Sequence, residues 1–474
     1  MNNVLFIMTD QWRYECFGYK GHPIVKTPNV DFIAGKSFVF ENAHTITPLC
    51  SPARGCLMTG KLPHVNGVTD NYSTGYARQP VLSPDLYTFL DSARDNGFRT
   101  GYFGKWHLGV ETLEGKGIAV GAKDGFRKKD PPQGPATARG ELLPGARQMY
   151  GATKKHPGDN PPFYALADKI EDLREYRIKE ETCAFLANGD KDKPWFAMAS
   201  FPGPHFPHTI PEPYHSMYNY TKMPLPKSIG DRFLNKPWFQ NRHWWPSMET
   251  DNLTDTDWQK TTAAYYGFIS LVDDLIGELL QTARQNANGR GVTVVFCADH
   301  GEMLGNHSRF DKGGYFYEDV MRIPLLISED IFADNAARRD IAQYCGIQDL
   351  SKTTFGLTGH PIPQGRDLLK LAKGNSTDNW PEVAYGAYYK YNGHTMEVRC
   401  IATPRYKYSF VPQDIDELYD LETDPLEMNN LSDRDEYADI KAELKEKVLA
   451  WMRENDDYLL DRLDNLPPAG TIVG

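Results

Sequence analysis

Short apolar runs that alternate with helical segments constrain the fold of this chain more than any other feature of its sequence. The clearest run is Val292–Ala298, which is rich in β-branched residues and follows a long helical segment. Runs of this kind are typical of parallel strands that are buried on both faces of a sheet. The pattern therefore predicts a doubly wound, mostly parallel α/β sheet flanked by helices, with its ligands at the carboxyl ends of the strands.

The predicted elements alternate along most of the chain. Strands are predicted at Val4–Thr9, Ser37–Glu41, Thr100–Phe103, Trp195–Phe201, Val292–Ala298 and Ile323–Ser328. Helices are predicted at Asn29–Gly35, Pro52–Thr59, Pro84–Asn96, Leu166–Asn188 and Thr261–Arg284. From about Ser376 the pattern changes to short aromatic strands and a charged helix, at Val383–Tyr391, Thr395–Ala402, Tyr406–Val411 and Arg434–Asn455. We therefore expect a large α/β domain over residues 1–375 and a C-terminal subdomain, a small antiparallel sheet with a helix, over residues 376–474.

Two long stretches interrupt the alternation. Residues 111–163 are rich in Gly, Pro, Lys and Asp, a composition typical of surface excursions. Residues 203–258 contain many prolines and aromatic residues, namely Tyr214, Tyr218, Tyr220, Trp238, Phe239, Trp244, Trp245 and Trp258, together with Arg232, Arg242 and His243. Loops of this length in a compact domain commonly form lids or binding walls. Ordinary packing of a lid would use the same residues, so both interpretations stay open.

Charge, hydropathy and cysteine content exclude several classes of protein. The 63 acidic residues outnumber the 52 lysines and arginines, and no basic block occurs, so we expect no nucleic-acid partner. No apolar run approaches the roughly 18 residues of a membrane span, and we expect no membrane insertion. The 7 cysteines, without a C-x-x-C pair, do not resemble a disulfide framework. With no signal peptide visible, we expect a cytoplasmic protein if the chain is full length, and a periplasmic or secreted one if a leader was removed.

Two predicted strands end in residues that suit a metal ion. Asp10-Gln11 follows the first strand, and Asp299-His300 follows the run Val292–Ala298. Because parallel strands bring their carboxyl ends to one edge, both pairs can converge on one cation. Two carboxylates, an amide oxygen and one imidazole suit a hard divalent cation such as Ca²⁺ or Mg²⁺. A strand-end aspartate is also a common helix or turn cap, and spacing alone does not decide between the two.

The segment Cys50-Ser51-Pro52-Ala53-Arg54 is the sharpest local feature. Pro52 suits the first turn of a helix, which places Cys50 at or near the helix N-terminus. Backbone N–H groups and the helix dipole favour an anion there. Arg54, four residues after Cys50, lies on the same helix face and can hold that anion. The alternatives are a buried small hydrophobic residue and a plain thiolate nucleophile.

Four further polar residues lie near the ends of predicted strands. In Gly104-Lys105-Trp106-His107, positions i and i+2 of an extended segment face the same way, so Lys105 and His107 can share a pocket. His205 follows the strand Trp195–Phe201, and Lys312 follows Asp299-His300. Cations and titratable rings beside an anion-binding helix end are what hydrolysis of a strong acid's ester requires. Taken singly, each of these residues could equally be a solvated side chain.

Several ordered motifs together carry a family resemblance. Their segments are Cys50–Arg54 with Leu57–Gly60, Gly97–Thr100 with Gly104–His107, Ala298–Glu302 with Gly305–His307, Asp311-Lys312, Tyr317-Glu318, Arg322–Ile327, and Leu418–Pro425. In this order they resemble the signatures of the formylglycine-dependent (type I) sulfatases, a family of the alkaline-phosphatase-like superfamily. The first matches the C-x-P-S/A-R-x-x-x-x-T-G signature, and the similarity runs from residue 4 to about 431.

The resemblance implies a metal-dependent sulfuric ester hydrolase. Cys50 would be oxidised to formylglycine by a formylglycine-generating maturation enzyme, and the hydrated aldehyde would supply the nucleophilic oxygen and also bind the metal. A sulfated serine would be slow to regenerate, whereas a gem-diol can expel sulfate by collapsing to the aldehyde. The metal, Ca²⁺ with Mg²⁺ or Mn²⁺ as alternatives, would be held by residue 50 and by Asp10, Gln11, Asp299 and His300.

The same resemblance implies roles for the remaining residues. Arg54 would steady the diol, and His107 would assist its deprotonation. Lys105 and Lys312 would bind sulfate oxygens, and His205 would be the acid for the leaving oxygen and would also contact the substrate. The substrate would be a small-molecule or oligosaccharide sulfate ester, and the aromatic residues of 203–258 favour a carbohydrate.

One departure from the family pattern keeps alternatives open. Many members have Asp-Asp where this chain has Asp10-Gln11, and Asn where it has His300. Similar pairs resemble those of choline sulfatases and phosphonate monoester hydrolases, whereas the Lys105-x-His107 pair favours sulfate. A phosphonate or phosphate monoester hydrolase, or a choline-type sulfatase, is therefore an alternative on the same scaffold. An alternative of another class is an unmatured protein that keeps the Cys50 thiol and only binds sulfated ligands.

Overall fold

The computed structural model describes most of the chain outside one long stretch and several short ones. The described residues are 1–72, 81–109, 113, 115–121, 164–241, 250, 253–362, 364–374, 380–391, 394–412 and 414–466. Most of the predicted excursion 111–163 lies outside the described residues, as do Arg242, His243, Trp244 and Trp245. None of the helices in the described residues is long and apolar enough to cross a membrane.

A mixed, mostly parallel sheet of eight strands forms the centre of the fold. Its strands are β1 (Asn3–Asp10), β2 (Phe38–His44), β3 (Arg99–Gly104), β4 (Ala119–Gly121), β6 (Trp195–Pro204), β8 (Val292–Ala298), β9 (Leu325–Ser328) and β10 (Arg339–Gly346). Their order across the sheet is β10-β2-β9-β8-β1-β6-β3-β4. Only β9 among these strands is antiparallel to its neighbours, β2 and β8. The remaining carboxyl ends therefore lie at one edge, as predicted.

Helices cover both faces of the sheet. They are α1 (Pro28–Ala34), α2 (Cys50–Thr59), α3 (Pro63–Asn66), α4 (Phe89–Asp95), α5 (Arg174–Ala187), α6 (Asp255–Gln285), α7 (Glu318–Met321), α8 (Ile347–Leu357) and α9 (Leu368–Ala372). Alternate residues of β1 point to opposite faces: Phe6 and Met8 join one hydrophobic cluster, and Leu5 and Ile7 join the other. All eight positions of β1 are buried, which explains its continuous apolar run. The predicted doubly wound α/β architecture is confirmed.

A second, antiparallel sheet follows in the last hundred residues. Its strands are β11 (Ala384–Tyr391), β12 (His394–Ala402), β13 (Tyr406–Phe410) and β14 (Glu417–Asp420), and helix α10 (Ala438–Glu454) packs against it. A two-stranded pair, β5 (Tyr164–Leu166) with β7 (His208–Ile210), lies apart from both sheets. The hydrophobic cluster on one face of the large sheet continues into β11–β14 and α10. The division of the chain at residue 375 stays a prediction.

Two predicted helices differ from the structure, and two further elements were not predicted. The helix predicted at Pro84–Asn96 begins only at Phe89, because the side chain of Thr88 accepts a hydrogen bond from the Asp91 backbone and caps the helix there. The helix predicted at Leu166–Asn188 was wrong at its start, since Tyr164–Leu166 is a strand and α5 begins at Arg174. Strand β10 and helix α8 were not predicted, and the partly exposed edge position of β10 explains its weak apolar pattern.

The stretch 203–258 is only partly a loop. Its last residues belong to α6, whose side-chain cap is Thr254. Tyr218, Phe239 and Trp258 are buried in hydrophobic clusters, at 8%, 1% and 2% exposure. These rings pack as core residues, so the prediction that they offer free faces to a sugar is wrong for these three. The ordinary packing of a lid accounts for them.

Candidate active site

Cys50 is the first residue of α2 and lies at the centre of the predicted site. The helix begins there because Leu49 is extended and Pro52 fits the first turn. The Cys50 sulfur lies 3.2 Å from Nε2 of His300 and 3.8 Å from Oδ1 of Asp10. Only 1% of Cys50 is exposed. The structure thus brings residue 50 to the ends of β1 and β8, and this placement agrees with the prediction.

Arg54 joins the two strand-end aspartates. Its Nε donates to Asp299 Oδ2 at 2.8 Å, and one terminal nitrogen donates to Asp10 Oδ2 at 3.0 Å. The other terminal nitrogen donates to the Lys105 carbonyl at 2.8 Å and to the Ser200 hydroxyl at 2.9 Å. Arg54 is fully buried, so these charge-assisted bonds set the position of both carboxylates.

Asp10, Cys50, Asp299 and His300 form a buried cluster that could hold a cation. Their ligand atoms all lie within 4.8 Å of one another. Burial opposes a charge on His300, but Asp299 and Cys50 raise the pKa of His300 to about 9. The negative charge that favours a proton on this buried imidazole would also favour a bound cation, which would displace that proton. Two carboxylates beside an imidazole fit a hard divalent metal.

Gln11 is placed at the edge of this cluster by an unusual backbone conformation. Its φ of 67° lies in the left-handed region, and its backbone N–H donates to Asp299 Oδ1 at 3.2 Å. The side-chain amide donates to Glu302, and Oε1 accepts from Lys312 Nζ at 2.8 Å. The Tyr265 hydroxyl donates to the Gln11 carbonyl at 2.6 Å. A metal-ligand role for Gln11 stays a prediction.

Lys105 and His107 enter the same site from the end of β3. The Lys105 ammonium lies 2.5 Å from Asp10 Oδ2. Burial works to raise the pKa of Asp10, but Lys105, His205 and Arg54 hold it well below its usual value. Trp106 packs away in the hydrophobic core, as predicted. The prediction assumed an extended segment at Lys105–His107, but β3 ends at Gly104 and His107 has a φ of 58°. Alternation along a strand is therefore not what separates Trp106 from its neighbours.

His107 is held in its neutral form. Burial, followed by the charges of Lys105 and Arg54, lowers the pKa of His107 well below its usual value. The hydroxyl of Ser51, the second residue of α2, donates to the His107 carbonyl at 2.6 Å. A neutral imidazole fixed beside the first turn of α2 can accept a proton, which is the requirement for a general base.

Lys312 and His205 form a pair on another side of Cys50. Nζ of Lys312 lies 2.7 Å from Nε2 of His205, and Nδ1 of His205 lies 2.5 Å from the Phe206 carbonyl. The ammonium can only donate, so Nε2 is the acceptor and Nδ1 carries the proton. Burial and the charge of Lys312 lower the pKa of His205 well below its usual value. Asp311, 3.0 Å from Lys312, helps to raise the pKa of Lys312 against the effect of burial.

Three residues that contact the site were not assigned to it from the sequence. Ser200 lies in β6 and donates to the Lys105 carbonyl at 2.8 Å while accepting from Arg54. Asn71 accepts from the Ser51 backbone N–H at 3.0 Å. Glu302 accepts from Gln11 and from the backbone N–H of Leu304 at 2.8 Å. Glu302 belongs to the quoted block Ala298–Glu302, whereas no local signal distinguishes Ser200 or Asn71.

All ten predicted site residues therefore lie in one connected site at the carboxyl edge of the sheet. Carboxylates occupy one side, and Lys105, Arg54 and Lys312 bring positive charge to position 50 from several directions. Such an arrangement can neutralise the charge of an anionic ester while a group at position 50 attacks it. Fold and site together define a hydrolase of the alkaline-phosphatase-like class.

Comparison with known proteins identifies the family. The sulfatase family model matches residues 2–360, and the chain therefore belongs to the sulfatases, which are sulfuric ester hydrolases. A second model, N-sulphoglucosamine sulphohydrolase, C-terminal, matches residues 305–454. The resemblance seen in the motifs is thus confirmed.

The similar proteins cover almost the whole chain. The uncharacterized sulfatase YidJ of Escherichia coli is 29% identical over 95% of this chain and 87% of its own length. The N-acetylglucosamine-6-O-sulfatase of Bacteroides thetaiotaomicron is 27% identical over 96% of this chain and 87% of its own length. A structure solved with its substrate D-glucosamine-2-N,6-O-disulfate has a TM-score of 0.75 at 22% identity, covering 96% and 98% of the two chains. The phosphonate monoester hydrolase of Agrobacterium radiobacter also has a TM-score of 0.75, at 23% identity and 96% coverage of each chain.

Proposed function

We propose that this sulfatase hydrolyses a sulfate monoester of a carbohydrate, using a formylglycine made from Cys50 and a bound divalent metal. The observation that carries the proposal is the position of the Cys50 sulfur, 3.2 Å from His300 and 3.8 Å from Asp10, beside Arg54. Two segments distant in sequence, at the ends of β1 and β8, supply the carboxylates and the imidazole that surround residue 50. A merely structural cysteine would not require two buried carboxylates and an imidazole as neighbours.

The proposed reaction has two covalent steps. One hydroxyl of the hydrated aldehyde at position 50 loses its proton to water, its oxygen forms a bond to sulfur, and the bond between sulfur and the alcohol oxygen breaks. The other hydroxyl then loses its proton to His107, its oxygen regenerates the aldehyde, and the carbon–oxygen bond to the sulfate breaks. Sulfate leaves, His107 returns its proton to water, and water rehydrates the aldehyde. Neutral His107 is a suitable base because burial and neighbouring cations keep its pKa low.

The other residues bind charge and supply the leaving-group proton. Lys105 and Lys312 neutralise the sulfate oxygens without reorganisation, since both are buried and held by carboxylates, at 7% exposure each. His205 carries its proton on Nδ1 and accepts from Lys312 at Nε2. Once the sulfate draws Lys312 away, Nε2 of His205 would take up a proton from water and pass it to the departing alkoxide. Arg54 orients the diol together with the carboxylates that it joins.

The metal would be held by the cluster of Asp10, Asp299 and His300 together with residue 50 and Gln11. When bound, it would supply positive charge that stabilises a deprotonated oxygen at position 50. We propose Ca²⁺, because carboxylate and amide oxygens dominate this donor set, with Mg²⁺ and Mn²⁺ as competitors. Lys105 lies 2.5 Å from Asp10 and is the competing cation at that carboxylate.

The carbohydrate part of the proposal is supported by relatives that span most of this chain. Besides the N-acetylglucosamine-6-O-sulfatase, they include an ulvan-active sulfatase of Formosa agariphila, 26% identical over 97% of this chain, and an endo-4-O-sulfatase of Bacteroides thetaiotaomicron, 26% identical over 96% of this chain. We further propose that residues 1–375 carry the catalysis, residues 376–474 form a subdomain, and a formylglycine-generating enzyme matures Cys50.

The proposal is tested by the mass of the peptide containing residue 50 and by the variant Cys50→Ser. Conversion of the thiol to an aldehyde lowers the peptide mass, and the variant should lose turnover of 4-nitrophenyl sulfate while keeping its fold. Cys183→Ser is the matched control, since Cys183 is a half-buried residue of α5. An unconverted peptide in an active enzyme, or a tenth of wild-type activity in Cys50→Ser, would contradict the mechanism.

A second candidate function is phosphonate or phosphate monoester hydrolysis at the same site. Gln11 and His300 favour it, because they replace residues that many sulfatases have as Asp and Asn. A multifunctional alkaline phosphatase superfamily protein of Trinickia caryophylli is 26% identical over 98% of this chain. Parallel assays on 4-nitrophenyl sulfate and on an aryl phosphonate separate the two functions. A higher kcat/KM for the phosphonate would favour the second.

A further inference from the structure

The hydroxyl of Tyr388 is a buried polar group that the proposed chemistry does not use. Tyr388 lies in β11 of the small sheet, and none of its surface is exposed. Within the described part of the chain, its hydroxyl has no hydrogen-bond partner. Buried tyrosine hydroxyls nearly always find a partner, because an unsatisfied one loses its hydration without compensation. A polar group of a bound ligand could supply this partner.

Backbone contacts bring Tyr388 to the helix that carries Cys50. The neighbouring Ala387 donates its N–H to the Ile46 carbonyl at 2.7 Å, which joins β11 to the segment leading into α2. The Tyr388 ring packs in one hydrophobic cluster with Leu49, which precedes Cys50, and with Met303, which follows Glu302. Tyr388 therefore lies beside the segment that leads into α2 and Cys50.

The strand is held at this point by a buried ion pair. Arg399 donates to the Tyr388 carbonyl at 2.8 Å, and its Nε donates to Asp457 at 2.6 Å. The register between β11 and β12 shifts between Tyr388 and Lys390. Such irregularities are frequent beside active sites, where they redirect a side chain. The orientation of Tyr388 is thus firmly set by its surroundings.

The charges around Tyr388 keep its hydroxyl protonated. Burial raises the pKa of Tyr388 well above its usual value, and Asp70, Tyr315, Asp311 and Cys50 add to the effect. These groups therefore lie within electrostatic reach of the hydroxyl. Tyr388 and Cys50 are both covered, at 0% and 1% exposure.

We infer that the Tyr388 hydroxyl binds a hydroxyl group of the alcohol part of the substrate and so selects polyhydroxylated sulfate esters. The inference rests on the proposed sulfatase function and deepens it. A neutral phenol that can both donate and accept matches a sugar hydroxyl, which does the same. A quaternary ammonium group, as in choline, can do neither and would leave the Tyr388 hydroxyl unsatisfied.

The test compares Tyr388→Phe with Tyr389→Phe. Tyr389 is the matched control, because it loses the same atom but its hydroxyl lies 2.9 Å from Nδ1 of His64, in a different hydrophobic cluster. We measure kcat/KM for 4-nitrophenyl sulfate, for choline sulfate, and for the fastest-cleaved of N-acetylglucosamine 6-sulfate, galactose 4-sulfate and glucuronate 2-sulfate. In Tyr388→Phe the ratio of sugar to aryl kcat/KM should fall about tenfold, the effect of one hydrogen bond. The ratio should not change in Tyr389→Phe.

The melting temperature distinguishes a substrate-binding role of the Tyr388 hydroxyl from a structural one, because only the loss of a structural hydrogen bond lowers it. Tyr388→Phe should unfold at or above the wild-type temperature because it loses no protein hydrogen bond, whereas Tyr389→Phe should unfold earlier. An unchanged substrate ratio, or a melting temperature lowered as in Tyr389→Phe, would overturn the inference. The inference would also be overturned if the wild type prefers choline sulfate, or if it cleaves the aryl sulfate but no sugar sulfate. In both cases the proposed sulfatase activity itself would still hold. If no sulfate ester is cleaved, the proposed function fails as well.

Discussion

Replacing Arg54 by methionine should destabilise the active site more than any other single truncation there. The guanidinium is fully buried and donates to Asp10 at 3.0 Å and to Asp299 at 2.8 Å. Methionine retains most of the volume of the side chain but none of its charge. Two buried carboxylates would then face each other without the cation that joins them, although Lys105 still lies beside Asp10 and His300 beside Asp299.

The magnitude follows from the burial of this pair. Removing one partner of a buried ion pair costs about 3–5 kcal/mol, because the remaining charge stays desolvated. An unfolding entropy of about 2.1 cal/mol/K per residue gives about 1 kcal/mol/K for a chain of 474 residues. The melting temperature should therefore fall by about 3–5 °C in Arg54→Met when metal is absent.

Ser200→Ala is the matched control. It removes the hydroxyl that accepts from Arg54 at 2.9 Å and donates to the Lys105 carbonyl at 2.8 Å, but leaves the two carboxylate bonds in place. Both partners keep a hydrogen bond, because Arg54 also donates to the Lys105 carbonyl. The net loss should therefore be about 1 kcal/mol, which corresponds to about 1 °C. The measurement is differential scanning calorimetry in EDTA at one scan rate for wild type and both variants.

Adding Ca²⁺ extends the test to the metal. A cation at Asp10 and Asp299 replaces the charge that Arg54 supplied, so Ca²⁺ should raise the melting temperature of Arg54→Met more than that of the wild type. At a concentration of about 100 Kd the gain is about 2.7 kcal/mol, or about 3 °C. If Arg54→Met melts within about 1 °C of Ser200→Ala in EDTA, our reasoning on the buried pair is refuted.

Three further predictions concern the metal, the sulfate and the leaving group. Asp299→Ala should lose both bound metal, measured by elemental analysis, and activity; full occupancy would show that the metal lies elsewhere. Lys105→Ala and Lys312→Ala should each lower kcat/KM for 4-nitrophenyl sulfate by about two to three orders of magnitude, the loss expected for one preorganised charge-stabilising donor. A smaller loss in steady-state kinetics would exclude a role of that lysine in neutralising the sulfate. His205→Ala should slow a sugar sulfate by about 10²–10⁴-fold but 4-nitrophenyl sulfate far less, because a good leaving group needs no proton; equal losses would leave His205 a binding role only.

The buried strands could be predicted because their signal is local. In β1 and β8 every residue is buried, so an uninterrupted apolar run marks each strand in the sequence. Helix α2 was predicted for a similar reason, since Pro52 at its start and Gly60 at its end are local signals. The carboxyl edge of the sheet then followed from the parallel pairing, which brought the ten candidate site residues together.

The failures share one physical cause, which is that tertiary contacts override local pattern. Leu166 reads as the start of a helix, but its backbone pairs with Ile210, 44 positions along the numbering, in a two-stranded sheet. The aromatic rings of Tyr218 and Phe239 read as binding surfaces, yet they fill hydrophobic clusters. A sequence pattern contains the apolar residue but not the surface against which it packs.

The sequence alone determined which residues follow the buried strands, the position of Cys50 at the start of a helix, and the set of residues available for catalysis. Only the tertiary structure decided which of these residues touch. Lys312 reaches Gln11 and His205 across 301 and 107 positions of the chain, and Arg54 reaches Asp299 across 245. Tyr388, in a different sheet, shares a hydrophobic cluster with Leu49, and no motif marks it in the sequence. Such contacts depend on how layers of the fold pack, and packing is a property of distances in space that no local run of residues encodes.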